Sequence, residues 1–172
     1  PDGTIRHKLV GGGEGEKFIE RVKESFDDNK ALGALDAKYN SGNRDKAFLS
    51  QYAQVMVANY DPNAKTIVDE LLKISTDEEK LSEDYWFIFG NSELSPKDSE
   101  AAKFLTDNRS KFNETIGKEK VDSRLSEGLF REILMVIAGR GQKTDVKRLD
   151  AIGREVKALK LSNEKTLLSS LA

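Results

Sequence analysis

The residues that most resemble a chemical site lie near the N-terminus, where a run of glycines precedes a helical pattern. The run is Gly11-Gly12-Gly13-Glu14-Gly15, and backbone N–H groups at the start of a helix can bind a phosphate. A Walker loop, however, ends in Lys followed by Ser or Thr, and the dinucleotide fingerprint has a glycine spacing that is not met. Glu14 and Glu16 would also repel a phosphate. We interpret the glycines as a strand-to-helix connection, with a nucleotide loop as the minor alternative.

His7 is the only histidine, and the chain contains no cysteine. A Ser-His-Asp relay could be built only around His7, and a multi-histidine or thiolate metal site cannot be built at all. No nucleophile motif accompanies His7, so its place in an alternating segment favours a partly exposed side chain in a sheet. We predict no catalytic, cofactor-binding or metal-binding residue in this chain.

Carboxylates are numerous, with 30 Asp and Glu against 28 Lys and Arg. The adjacent pairs Asp27-Asp28, Glu78-Glu79 and Glu83-Asp84 fall at predicted helix ends, where they cap free N–H groups or stay in water. A calcium loop starting at Asp107 fails, because Phe112 stands where the loop requires glycine. A hydrolase that brings distant carboxylates together by folding stays open as a minor alternative.

The composition restricts the class of partner. The chain has 172 residues and a formal net charge of −2, so it lacks the general basic character that nucleic-acid binding needs. Lys143, Lys147, Arg148 and Arg154 alternate with acidic residues, which is typical of a solvated helix with ion pairs between residues i and i+4. No segment approaches the roughly 20 consecutive apolar residues of a membrane-spanning helix, and no signal-peptide core follows Pro1.

The clearest candidate for a partner surface is the aromatic run Tyr85-Trp86-Phe87-Ile88-Phe89. Five consecutive large apolar residues cannot all face one side of a helix, so either some are exposed or the helix is buried on most sides. Burial is the favoured interpretation, since helices enclosed in a multi-helix domain are apolar all round. Two triplets that match the glycosylation motif, at Asn108 and Asn113, are attributed to chance.

The elements that would position these residues are mainly helices. Apolar residues recur at helical spacing from Glu14 onward, and turn or cap signals divide the chain into about nine segments. Neighbouring segments joined by short turns predict antiparallel hairpins, tetratricopeptide-like in style although the strict repeat motif is absent. The predicted helices span about residues 14–26, 30–40, 44–60, 62–74, 82–89, 97–116, 121–138, 144–159 and 162–171.

A single strand is predicted, over residues 4–10, where Ile5, His7 and Leu9 alternate with polar residues. The turn signal Pro1-Asp2-Gly3 precedes it and the glycine run ends it. The first 26 residues, PDGTIRHKLVGGGEGEKFIERVKESF, resemble the end of a thioredoxin fold. In that family, a hairpin turn leads into a strand that ends in glycine and then into the last amphipathic helix.

More narrowly, the chain resembles the thioredoxin-like disulfide-isomerase proteins of Bacteroides-type bacteria, which continue into a helical C-terminal region. The segment from Lys38 to Asp45, followed by Phe48-Leu49 and Tyr52, fits that continuation. The family's Cys-x-x-Cys and the facing cis-proline precede the hairpin, so no functional residue of the family falls within this sequence. The resemblance implies a periplasmic or otherwise exported protein.

We therefore predict two parts. Residues 1–27 are a thioredoxin-fold remnant, and residues 28–172 form a mainly α domain, either a tetratricopeptide-like bundle of antiparallel helical hairpins or a short solenoid. The resemblance implies a non-catalytic accessory region of a thiol-disulfide oxidoreductase or isomerase that contacts a partner or substrate protein. The alternative is a free-standing helical-repeat adaptor with no redox link. A lone strand is unstable, so residues 4–10 are expected to pair with a second copy or to lie irregularly across the helices.

Overall fold

The computed structural model describes residues 15–139 and 145–171. Within these ranges the chain is mainly α-helical and has no β-strand, which confirms the predicted fold class at that level. The predicted strand, His7 and Gly11 to Glu14 lie outside the described residues. The helices are α1 Gly15–Glu24, α2 Leu32–Asn40, α3 Lys46–Ala58, α4 Ala64–Ile74, α5 Asp77–Lys80, α6 Trp86–Phe89, α7 Glu100–Asp107, α8 Arg109–Phe112, α9 Lys118–Ile137, α10 Val146–Leu159 and α11 Glu164–Ser169.

The chain divides into two compact units, unit 1 from Pro1 to Asp77 and unit 2 from Glu78 to Ala172. The division falls within α5. It differs from the boundary after residue 27 that the sequence suggests, and that boundary stays a prediction.

Unit 1 is built around α3, which packs against α2 and α4. The helix starts at Asp45, whose carboxylate accepts hydrogen bonds from the backbone N–H groups of Ala47 and Phe48 at 3.0 and 3.4 Å. One face of α3 then faces the interior, as its apolar spacing predicts. The buried apolar residues of unit 1 are Ala31, Leu32, Leu35, Phe48, Leu49, Tyr52, Ala53, Met56, Ala64, Ile67, Val68 and Leu71.

The turn between α3 and α4 contains a strained residue. Tyr60 has a φ of +51°, although its side chain is 74% exposed and supports no core. It follows the end of α3 at a position where helices usually place glycine. Asp61 accepts a hydrogen bond from the N–H of Asn63 at 2.8 Å, so residues 61–63 form a turn. Helix α4 therefore starts at Ala64, two residues later than the predicted start at residue 62.

We expect Tyr60→Gly to stabilise unit 1 by about 1 kcal/mol, because glycine adopts the left-handed conformation without a Cβ penalty. Urea unfolding followed by far-ultraviolet circular dichroism measures the change. Tyr60→Ala is the matched control, since alanine removes the ring but keeps the Cβ. Equal stabilisation by both variants would contradict the explanation.

Unit 2 is built around the longest helix, α9, which packs against α8, α10 and α11. The contact between α9, α10 and the chain that follows α10 is apolar. A second apolar region contains aromatic rings from α6, α7 and α8, with Phe89 and Phe112 at its centre, 5.1 Å apart. The buried residues of the first region are Leu129, Ile133, Ile152, Val156, Leu161 and Leu167.

The predicted helix 97–116 is interrupted in the structure. It consists of α7, α8 and a π-helical turn, Asn113–Gly117. The side-chain amide of Asn108 donates to the carbonyl of Phe104 at 3.0 Å, which ends α7 locally. Gly117, the first residue after the predicted helix, has a φ of +99° and lets the chain turn into α9. The predicted helix 82–89 is likewise a 3₁₀ turn, Glu83–Tyr85, followed by the single turn of α6.

Candidate functional site

In unit 1, the segment that carries the narrower family resemblance forms a cluster of aromatic and charged side chains. The hydroxyl of Tyr39 donates to Glu70 Oε1 at 2.6 Å, and Arg44 Nε lies 3.1 Å from Glu70 Oε2. The guanidinium carbon of Arg44 lies 3.5 Å from the centre of the Tyr39 ring, within the range of a cation–π contact. These contacts join α2, the turn before α3, and α4.

A second tyrosine extends this cluster into the core. The hydroxyl of Tyr52 donates to Asp36 Oδ1 at 2.5 Å, and its ring lies 5.4 Å from the Tyr39 ring and 5.7 Å from that of Phe48. The hydrogen bond to Glu70, with burial, raises the pKa of Tyr39, whereas burial followed by the hydrogen bond to Asp36 raises the pKa of Tyr52. Both hydroxyls therefore stay protonated, and the cluster holds α2, α3 and α4 together through hydrogen bonds and ring packing.

In unit 2, the carboxylate of Asp122 on α9 is the centre of a charged network. Only 2% of Asp122 is exposed. Its Oδ1 accepts from Arg109 Nη2 on α8 at 2.6 Å, and its Oδ2 pairs with Lys118 one turn earlier. Ser162, between α10 and α11, donates to Oδ2 through its backbone N–H at 3.0 Å and its hydroxyl at 2.6 Å. One carboxylate thus joins three separate segments.

These contacts determine the charge of Asp122. Burial alone would raise the pKa of this carboxyl, but the hydrogen bonds from Lys118, Ser162 and Arg109 outweigh burial and lower the pKa below its usual range. A carboxylate held ionised by four donors is a poor proton acceptor. The arrangement suits structural support and not general acid–base catalysis.

We expect Asp122→Asn to lower the free energy of unfolding of unit 2 by about 3 kcal/mol at pH 7, since it leaves Arg109 without a buried counter-charge. The fluorescence of Trp86, the single tryptophan, reports on unit 2 during urea unfolding. Asp150→Asn, on the exposed side of α10, is the control and should change stability by less than about 0.5 kcal/mol.

The native chain and Asp122→Asn can also be compared for the pH dependence of their stability. Folding lowers the pKa of Asp122, so its contribution to stability is complete above the unfolded-state value of about 4 and is lost as the pH falls below it. The stability difference between the native chain and Asp122→Asn should therefore shrink between about pH 5 and pH 2. A difference that stays constant over this range would contradict the assignment.

A buried arginine on α9 binds the chain that follows α6. Arg124 Nε donates to the carbonyl of Phe89 at 3.1 Å, and Nη2 donates to the carbonyl and, at 3.0 Å, to the hydroxyl of Ser95. Burial lowers the pKa of Arg124, which nevertheless remains a cation because an arginine side chain does not lose its proton in proteins. It thus provides buried donors to two backbone carbonyls, of which that of Phe89 also accepts from the Ser95 hydroxyl at 3.2 Å.

A third network joins α10 to α9 and to the chain ahead of α7. Lys97 pairs with Glu132 and, at 2.8 Å, with Glu155, while Arg148 also pairs with Glu132. Burial opposes the charge on Lys97, but the hydrogen bonds to Glu132 and Glu155 raise its pKa. The acidic residue Glu155, predicted to neutralise cations on its own helix, thus pairs with a more distant lysine.

The aromatic run 85–89 lies mainly in the interior. Tyr85, Ile88 and Phe89 are buried, and Trp86 and Phe87 are half-buried. The Trp86 ring lies 6.0 Å from that of Phe112, and a Cβ at Gly90 would come within 2.8 Å of the Trp86 side chain. This agrees with the favoured sequence interpretation, in which the run packs in the core and is not a partner surface.

Trp86→Ala is accordingly expected to destabilise unit 2 by at least about 2 kcal/mol, through loss of packing against Phe112. Thermal unfolding followed by circular dichroism measures the effect. Met135→Ala, which removes an exposed apolar side chain from the same unit, should have little effect. An unchanged thermal unfolding transition for Trp86→Ala would contradict core packing of the aromatic run and would favour a contact surface.

The described residues contain no cluster of side chains suited to a metal ion. Both glycosylation triplets are poorly placed, because the amide of Asn108 is bonded to Phe104 and the Asn113 oxygen is buried. The sequence reasoning missed Asp122 and Arg109, although the helical spacing that puts Asp122 beside buried Val121 and near Leu125 offered a signal.

None of the helices described is long and apolar enough to cross a membrane. Comparisons of the chain with protein-family models, with curated proteins and with solved structures find no match.

Proposed function

We propose that this chain is the non-catalytic helical accessory region of an exported thioredoxin-like thiol-disulfide oxidoreductase or isomerase, and that it contacts a substrate or partner protein. The observation that supports a contact role is the apolar surface at the end of α9. Phe130, Leu134 and Ile137 are 45%, 49% and 50% exposed. We call these three residues the α9 face.

The three residues of the α9 face form one continuous strip along the helix surface. Residues 130, 134 and 137 follow the i, i+4, i+7 pattern and lie along one side of the helix. This side adjoins the buried side that contains Leu129 and Ile133. Apolar side chains grouped at the surface in this way are typical of protein contact sites, whereas isolated exposed residues need no explanation.

The charged clusters of the described residues support a non-catalytic role. Asp122, Glu132 and Glu70 each hold their cationic partners within the fold, and the tyrosine hydroxyls of unit 1 donate to carboxylates. Such mutually satisfied groups stabilise a scaffold. An active site, by contrast, needs a polar group that is poised toward a substrate.

The finer architecture is part of the proposal. The packing of α3 against α4 across a short turn, and of both α10 and α11 against α9, supports an arrangement of antiparallel hairpins in the tetratricopeptide style. The strand of residues 4–10, as a thioredoxin remnant able to self-associate, is proposed on the family resemblance alone. A free-standing helical adaptor would use the α9 face equally well, so it remains the alternative function.

The redox link is tested by the residues encoded ahead of Pro1. A Cys-x-x-Cys in a thioredoxin-like segment preceded by a signal peptide would support the proposal. An initiator methionine directly before Pro1 would overturn it in favour of the adaptor.

The contact role is tested on the full encoded protein with the double variant Leu134→Glu and Ile137→Glu. We expect isomerisation of a scrambled protein substrate to slow by about tenfold, because charges on the α9 face oppose docking. Reduction of a small disulfide, which needs no docking, should be unchanged. Lys120→Glu, an exposed substitution elsewhere on α9, is the charge control, and Trp86 fluorescence verifies folding. Equal rates for the native and double-variant proteins on the protein substrate would overturn the contact role.

A further inference from the structure

We infer that a groove between α10 and α11 binds an acidic, amphipathic segment of a partner protein. The inference rests on the proposed contact role and specifies the chemistry of one partner. Leu149, Gly153, Leu168 and Leu171 contribute the apolar part of the groove, and Asp150, Arg154 and Lys157 contribute its charged part. We call this surface the C-terminal groove.

The floor of the groove is apolar and partly open. Leu149, Leu168 and Leu171 pack against the buried residues of α9 and α10 but remain only partly buried. Their remaining surface is available to an aliphatic side chain from outside. Burying it would provide the favourable contribution to binding.

The glycine in the floor is not required by the fold. Gly153 lies in the middle of α10, where glycine costs about 1 kcal/mol relative to alanine. Its φ is not in the left-handed region, and a Cβ there would lie at an ordinary contact distance of 3.4 Å from Leu171 Cδ1. Alanine would therefore fit. The consequence of glycine is a deeper floor, which lets another chain approach α10 closely.

The rim of the groove carries two exposed cations, Arg154 and Lys157, which lie one turn apart on the same side of α10. Within residues 15–139 and 145–171, neither forms an ion pair, and the nearby carboxylates Glu155 and Glu132 pair with Lys97 and Arg148. Asp150 lies four residues before Arg154 but does not pair with it. The positive charge is therefore available to carboxylates of another molecule.

The charges of the C-terminal groove determine which kind of segment can bind there. A helical segment with two carboxylates three or four residues apart can reach Arg154 and Lys157, while its aliphatic residues cover the three leucines. Asp150 lies about 10 Å along the helix axis from Lys157, at 1.5 Å per residue. It disfavours a carboxylate at that end, so the acidic end of the segment should lie over residues 154–157.

Binding to the full chain of 172 residues tests the inference. The probe is a fluorescein-labelled synthetic helix of about three turns, with leucines spaced i, i+3, i+4 and i+7 and glutamates between them. The comparison peptide replaces each glutamate by lysine. Fluorescence anisotropy should show that the acidic peptide binds at least about tenfold more tightly than the basic one.

Two variants locate the binding site. The double variant Arg154→Glu and Lys157→Glu should weaken binding of the acidic peptide by about tenfold or more, and Gly153→Leu should abolish it by filling the floor. Lys120→Glu is the matched charge control and should bind normally, whereas Gly153→Ala, which adds only a Cβ to the floor, should weaken binding less than Gly153→Leu. Trp86 fluorescence and circular dichroism verify that each variant folds.

Equal affinity for the two peptides, no binding of either, or binding that the charge reversal does not change would each overturn the inference. None of these measurements involves disulfide chemistry or the α9 face. A negative result here therefore leaves the proposed function unaffected. Conversely, loss of the redox link or failure of the α9 variants would not alter the peptide measurements.

Discussion

The buried carboxylate of Asp122 fixes the relative positions of several segments of unit 2. Asp122 receives hydrogen bonds from α8, from its own helix and from the turn between α10 and α11, and three of the four donors converge on one carboxylate oxygen, Oδ2. The apolar contacts of α9 with α10 are not directional, so they allow the helices to slide. The network around Asp122 is directional, and it selects one register among the many that hydrophobic burial would accept.

Polar side chains from both units form hydrogen bonds within the chain. Tyr39 and Tyr52 in unit 1, and Arg109, Arg124 and Lys97 in unit 2, all bond to carboxylates or carbonyls of the same chain. A chain without cysteine cannot use disulfides to fix its helices, and here charged hydrogen bonds do part of that work. The α9 face and the cations Arg154 and Lys157 of the C-terminal groove differ in kind, since they are exposed and form no such hydrogen bonds within the described residues.

The spacing of apolar residues predicts most of the helices but does not predict the interactions between them. The stripe Phe48, Leu49, Tyr52, Val55 and Met56 predicts α3 and its buried side, because burial of one helix face depends on local spacing, and all of these but the half-buried Val55 are buried. The break at Asn108 and the π-helical turn depend on side-chain amides and on packing of Phe112, which spacing does not reveal. Asp122 was missed because its partners lie 13 and 40 residues away in sequence. Of the residues 1–26 that carry the thioredoxin resemblance, the predicted strand and the glycines up to Gly13 lie outside the described part, whereas residues 15–26, with α1, lie inside it.

Arg124 donates hydrogen bonds to the main-chain carbonyls at positions 89 and 95, and these contacts affect which substitutions the sequence can accept. Every residue type presents the same carbonyl, so substitutions at positions 89 and 95 keep these two acceptors and can remove only the Ser95 hydroxyl. Replacing the arginine removes all the donors at once, and lysine cannot reproduce the fork of its guanidinium. The two carbonyls therefore place no demand on side-chain identity at positions 89 and 95, which are constrained by their own burial, whereas the arginine is fixed by the contact itself. Distant relatives of this chain would share the arginine while differing in the segment that it holds.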